Sequence, residues 1–235
     1  MLLFNLLKGR IEPGIFHLFG PAATGKTTIA MACIASIAAR GNPCAWLDAT
    51  GGFSPKRFVN ISIGITGKDH SSRIMYTKVA NPLALDHALD VMTANVAKWH
   101  CGLIVLDTVF GCIEQTIEDP VLRKVLWIQA REQLARLILL ATSSKIPLLI
   151  LNTVGYKPGC DQERPTGEAI VRAFAPEDAL VRPIIGSEGN TGRFTWLSCD
   201  DETEFTIETG GVKQRDTTLV STGIVHDDTE EEVDA

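Results

Sequence analysis

The chain has 235 residues, 45% of them hydrophobic and 21% charged, with a formal net charge of −6. That size and balance exclude a fibrous or fully disordered polymer and describe one soluble globular domain large enough to bury a core. Much of the charge is local: the final run DDTEEEVDA holds six acidic and no basic residues, so the body is near neutral, without the dense basic stripe that drives strong phosphate-backbone binding.

In chain order, GIFHLFG (14–20) forms a short strand ending on glycine. An Ala/Ile-rich helix over 26–40 follows and stops at Gly41. CAWLD (44–48) is a buried strand, PKRFVNI (55–61) a short helical segment and RIMYTKV (73–79) a third strand. Residues 82–99 form a helix that opens on proline, where the missing N–H costs little. GLIVLD (102–107), a continuous apolar run ending in an acid, is a strand covered on both faces of a parallel sheet. A long helix over 120–144 and another buried strand, IPLLIL (146–151), come next. A polar loop, NTVGYKPGCDQERPTGEA (152–169), is longer than loops usually are without a purpose. LVRPIIG, GRFTWLS and TEFTIET then alternate as antiparallel strands that finish the sheet edge. Strands alternating with helices predict an α/β fold around a mostly parallel central sheet flanked by helices, with antiparallel strands at its C-terminal edge. The domain reading is a core over 1–213 and an acidic, disordered tail over 214–235.

Six cysteines without a C-x-x-C pair point to neither a disulfide framework nor a zinc site and fit a reducing cytoplasm. The apolar start MLLFNLL lacks a cleavage site, and the longest apolar run, 137–151, is broken by Ser143, Ser144, Lys145 and Pro147, so neither a signal peptide nor a membrane span is expected.

The chemistry lies in FGPAATGKTT (19–28). Gly20-Pro21-Ala22-Ala23-Thr24-Gly25-Lys26-Thr27 matches G-x-x-x-x-G-K-[ST] between a strand and a helix, the context of a phosphate-binding loop. Its glycines let backbone N–H groups turn inward, the helix N-terminus adds positive potential, Lys26 reaches outer phosphates, and Thr27 can hold Mg²⁺, with Thr28 beside it. Asp107, at the end of GLIVLD, is placed to bind the same metal through water. The motif therefore predicts a bound nucleotide with Mg²⁺.

RIEPGIFHLFGPAATGKTTIAMACIASIAARG, followed by WLDATGGFSPKRF, LIVLDT (103–108), LLILNTV (148–154) and ERPTGEA, resembles the RecA-superfamily ATPase core, and most the archaeal RadB branch of recombinase paralogues. The resemblance covers most of 10–186. It implies a RecA-like P-loop core without an N-terminal DNA-binding domain, for which the stretch before IEPG leaves no room. It further implies ATP as the nucleotide, a role as an ATP-binding accessory in DNA repair and recombination, and an Arg57 that stacks on adenine, although that arginine equally suits an ordinary helix surface.

Two positions depart from the recombinase pattern. The strand-end Asp-Thr-Glu-Gly becomes Asp48-Ala49-Thr50-Gly51, so Thr50 stands where a glutamate would polarise the attacking water. A neutral hydroxyl cannot do so, and the missing term is worth roughly 10²–10⁴-fold in rate. Asp48 remains open as a substitute acid, about 6–7 Å back along its strand. The family's Asn-Gln after the later buried strand becomes Asn152-Thr153, removing the glutamine that senses the γ-phosphate. Slow hydrolysis at most is expected, with Lys26, Thr50 and Asp107 as the catalytic positions. For DNA, Tyr156, Lys157 and Arg164 in the long loop offer a stacking ring and two cations, diluted by Asp161 and Glu163. Single-strand binding should be modest and salt-dependent. The expected protein partner is a recombinase or other RecA-family protein. No Phe-x-x-Ala tag precedes the core, which leaves a dimer open and a filament unexpected. Two alternatives remain: a true motor or KaiC-like ATPase, which needs a carboxylate at Thr50's position, and a non-hydrolysing interaction subunit whose partner donates the missing groups.

Overall fold

The computed structural model describes residues 12–108, 119–155, 164–171, 177–183, 191–197 and 201–214. Its strands, β1 (Ile15–Gly20), β2 (Cys44–Asp48), β3 (Ile74–Lys78), β4 (Leu103–Asp107), β5 (Leu148–Gly155), β6 (Arg164–Pro165), β7 (Glu177–Pro183), β8 (Thr191–Trp196), β9 (Asp201–Glu208) and β10 (Gly211–Gln214), form one sheet. Its order is β10-β9-β8-β7-β1-β5-β4-β2-β3, with the short β6 paired to β5. From β3 to β7 neighbouring strands along this path run parallel, and from β7 to β10 they run antiparallel.

The helices are α1 (Lys26–Ala38), α2 (Pro55–Thr66), α3 (Pro82–Trp99), α4 (Pro120–Ser143) and the single turn α5 (Glu168–Val171). Helix α1 has no polar face because it lies between layers: its side chains pack on the sheet while α2 and β10 cover its other side. On the opposite sheet face α3 and α4 enclose a second core, in which Leu89 and Leu134 of the helices pack with Ile104 and Ile150 of the strands. A polar stitch joins these two helices: Gln133 donates to the Pro82 carbonyl at 2.7 Å, and Arg136 bridges Asp86 and Asp90.

Helix starts follow their capping residues. Ser54, Asn81 and Asp119 each accept a backbone N–H of the first turn, followed in every case by proline. The segment expected over 55–61 continues to Thr66 and stops at left-handed Gly67, because a core-facing Phe58 and Ile61 anchor it beyond the apolar run that is visible locally. The strand expected at LVRPIIG, described as far as Pro183, departs from the antiparallel expectation on one side: β7 is parallel to β1 and antiparallel to β8. Alternation along a strand reports which faces are covered, not the direction of the neighbour. β10 is a further strand with no counterpart among the expected elements.

Cys33, Cys44 and Cys101 are buried free thiols near one end of β2. Burial pushes the Cys33 thiol up to about 12 and raises those of Cys44 and Cys101. No helix among the described residues is long and apolar enough to cross a membrane.

Candidate nucleotide site

At one end of the sheet β2 and β4 stop at the same level, at Asp48 and Asp107, while β1 and β5 run on beside them, and between β1 and β2 the chain skips over two strands, a crossover that leaves a crevice of the kind at which open α/β sheets bind ligands. The loop from Gly20 to Gly25 leaves β1 here and enters α1. Gly25 caps the helix with φ 95°, and Ala23 also turns left-handed at φ 61°, the type of backbone that turns successive N–H groups toward one concave side. A Cβ at Gly20 would sit 2.0 Å from the Val181 carbonyl oxygen of β7, a contact only glycine permits.

Lys26 curls over this loop. Its Nζ donates to the carbonyls of Gly20 at 2.8 Å and Pro21 at 2.7 Å, and lies 3.4 Å from Thr24 Oγ1, which itself donates to Pro21. Desolvation lowers the amine to about 8, partly offset by attraction from Asp107. Thr27 Oγ1 donates to Asp107 Oδ2 at 3.1 Å. Burial raises Asp107 to about 6; the Thr27 hydrogen bond and Lys26 pull it down while Asp48 pushes it up. The spacing-based pairing of Lys26, Thr27 and Asp107 is therefore brought together in space. Pro21, Ala22 and Ala23 lie on the rim, where Ala22 and Ala23 are exposed.

Asp48 is occupied. Its Oδ1 accepts the N–H groups of Thr50, Gly51 and Gly52, and its Oδ2 accepts Phe53 N–H and the Tyr76 hydroxyl at 3.1 Å each. The carboxylate is fully buried and folds the 50–53 turn around itself. It has the donors of a structural knot and not the free lone pairs of a base. That turn carries Thr50 toward the loop: a Cβ at Gly52 would be 3.3 Å from Thr50 Oγ1, 3.5 Å from Asp107 Oδ2 and 3.8 Å from Thr27 Oγ1. Three oxygens thus converge on one small region.

Arg57 reaches across from α2 and donates through Nη2 to Thr28 Oγ1. It also lines a cavity of about 620 Å³ with Ser54, Lys56, Asn60, Ile207, Glu208 and Thr209. The β9 residues in that wall were not anticipated, since nothing local in TEFTIET indicates that it returns to the loop. Asn152 and Thr153 lie within β5, in register with Phe19 and Gly20, but their side chains turn to the next segment. Asn152 Nδ2 donates to the Thr166 carbonyl at 2.8 Å, and the hydroxyls of Thr153 and Thr166 are 3.3 Å apart. Arg164 is paired with Glu168 at 3.1 Å. Tyr156 and Lys157 lie outside the described residues.

Residues 5–172 match the family model of the RecA N-terminal domain. The chain is 26% identical over 169 residues to a protein named DNA repair and recombination protein RadB from Thermococcus kodakarensis, covering 71% of this chain and 73% of that one. It is 29% identical to the RadB protein of Thermococcus onnurineus, over 71% and 72% of the two chains. Protein RecA of Mesoplasma florum is 26% identical over 72% of this chain and 49% of its own length. Among solved structures, a RadB recombinase superposes with a TM-score of 0.69 at 19% identity, covering 86% of this chain and 90% of the other.

Proposed function

This chain belongs to the RecA family, and from that premise we propose that it is an ATP-binding accessory of DNA repair and recombination resembling RadB, in which the nucleotide acts as a switch and is hydrolysed slowly. The donor set fits MgATP. Loop N–H groups over 20–25 and Lys26 would hold phosphates, Thr27 and Asp107 the Mg²⁺, and Arg57 the base. Bound MgATP would supply the γ-phosphate whose presence distinguishes two states of the protein.

One observation carries the slow-hydrolysis part. Beside Thr27 and Asp107 stands the hydroxyl of Thr50, while the nearest alternative carboxylate on the preceding strand, Asp48, already accepts five donors. A hydroxyl cannot accept a proton at pH 7, so water activation is poorly served. The test is calorimetric titration with MgATP together with steady-state phosphate release, using Lys26→Ala as the control. Tight binding with release barely above that control is expected; rapid release by the isolated protein overturns the reading.

Single-stranded DNA binding is the finer part of the proposal, through Tyr156, Lys157 and Arg164. With Arg164 already paired to Glu168, the cationic contribution is small, and the affinity should fall with salt by a slope of about −0.7 per neutralised phosphate, totalling roughly one or two contacts. A second reading draws on the exposure of Thr50: a recombinase partner can bring a carboxylate to that position. ATP turnover that appears only on mixing with such a partner supports it.

A further inference from the structure

Helix α2 turns Arg57, Asn60 and Gly64, spaced i, i+3 and i+7 along one face, toward the hairpin of β9 and β10. The two elements form a wedge. At its mouth Arg57 and Asn60 look across the 620 Å³ cavity at Ile207, Glu208 and Thr209. At its apex they touch backbone to backbone: a Cβ on Gly64 would fall 2.3 Å from the Gly210 oxygen, 2.6 Å from its Cα and 2.8 Å from its carbonyl carbon. Glycine is a poor residue for a helix interior, and this contact is what its absent side chain permits. The same hairpin also reaches the phosphate-binding loop, since a Cβ on Gly25 would lie 2.2 Å from Ile207 Cδ1, with the Phe205 ring behind it at 3.6 Å.

We propose that the Gly64–Gly210 contact is a latch that sets the width of the nucleoside cavity, making Gly64 a positioning residue that acts through Ile207 on recognition of the base and not on capture of the phosphates. The proposal rests on the reading of the adjoining loop as a nucleotide site. Backbone atoms cannot rotate away as a side chain would, so a methyl group at Gly64 forces helix and hairpin apart by about 1 Å before ordinary contact distances are restored. Arg57 is two helical turns, about 10 Å, from the apex. Separation there lifts Ile207 from its seat and widens the slot in which a planar base would be gripped. The groups placed to hold phosphate, the loop amides and Lys26, belong to the loop itself.

The experiment compares ATP with inorganic tripolyphosphate, both with Mg²⁺, by calorimetry on the full chain as wild type, Gly64→Ala and Ile207→Ala. Both variants should weaken ATP binding roughly tenfold while tripolyphosphate stays within about twofold of wild type. Retained tripolyphosphate binding also reports that the loop is folded. Unchanged ATP affinity, a parallel loss of both ligands, or a wild type that binds tripolyphosphate as tightly as ATP overturns the latch. A wild type that binds neither ligand overturns the nucleotide site itself. Should Gly64→Ala not fold, Ile207→Ala alone decides by the same outcomes.

Discussion

The C-terminal ends of β2 and β4 lie side by side, with Asp48 in register with Asp107 on the neighbouring parallel strand. Both carboxylates are buried, yet they face different company. Asp48 meets four backbone N–H groups and a tyrosine hydroxyl. Among the described residues Asp107 receives one side-chain hydrogen bond, from Thr27, and desolvation raises it to about 6. Equivalent strand positions therefore produce a folded turn in one case and, among the described residues, an acid with one hydroxyl donor in the other. What separates them is the sequence that follows: Ala49-Thr50-Gly51-Gly52 curls back over its own aspartate, whereas β4 delivers Asp107 against the first turn of α1. Availability for chemistry is set by the donors around a carboxylate more than by its burial.

The sharpest test of this contrast adds a third carboxylate between the two. Thr50→Glu should raise ATP turnover by roughly 10²–10⁴-fold if the remaining groups are in place, read as phosphate release. Removing the structural acid should act on stability: Asp48→Ala is expected to lower unfolding free energy by about 3 kcal/mol in urea titration, because the turn's donors lose a charged acceptor. An equal loss from Asp107→Ala would erase the distinction. For Asp107→Asn, Mg²⁺-dependent ATP affinity should drop roughly 10–100-fold while Mg²⁺-free binding is retained.

Acidity gives the smallest effect. MgATP affinity should peak between about pH 6, below which Asp107 takes up a proton, and about pH 8, above which Lys26 gives its proton up. Each limb has a slope of at most about tenfold per pH unit. The acid limb should vanish in Asp107→Asn and the alkaline limb in Lys26→Ala, leaving the other in place.

The loop from Gly20 to Thr27, Asp107 and most helix boundaries were legible because their signals are local: a spacing, a capping residue, a proline in the first turn. The parallel pairing of β7 with β1 was not, since a strand's own residues do not specify which way its neighbour runs. The sequence leaves Asp48 open as a substitute acid because four of its five donors are backbone groups, which no side-chain pattern advertises. Arg57 is a candidate in the sequence, but Ile207, which faces it across the cavity, lies 150 positions along the chain and only the folded hairpin brings it there. Gly64 carried no readable role for the same reason; its neighbour Gly210 is equally remote.

The interior thiols of Cys33, Cys44 and Cys101 give the fold a built-in clock. A thiolate is the species that alkylating reagents attack, and burial suppresses it at all three positions. Iodoacetamide should therefore modify them only as fast as the surrounding layers part, so that the rate of carbamidomethylation, followed by mass spectrometry, times the breathing of the domain without any engineered probe.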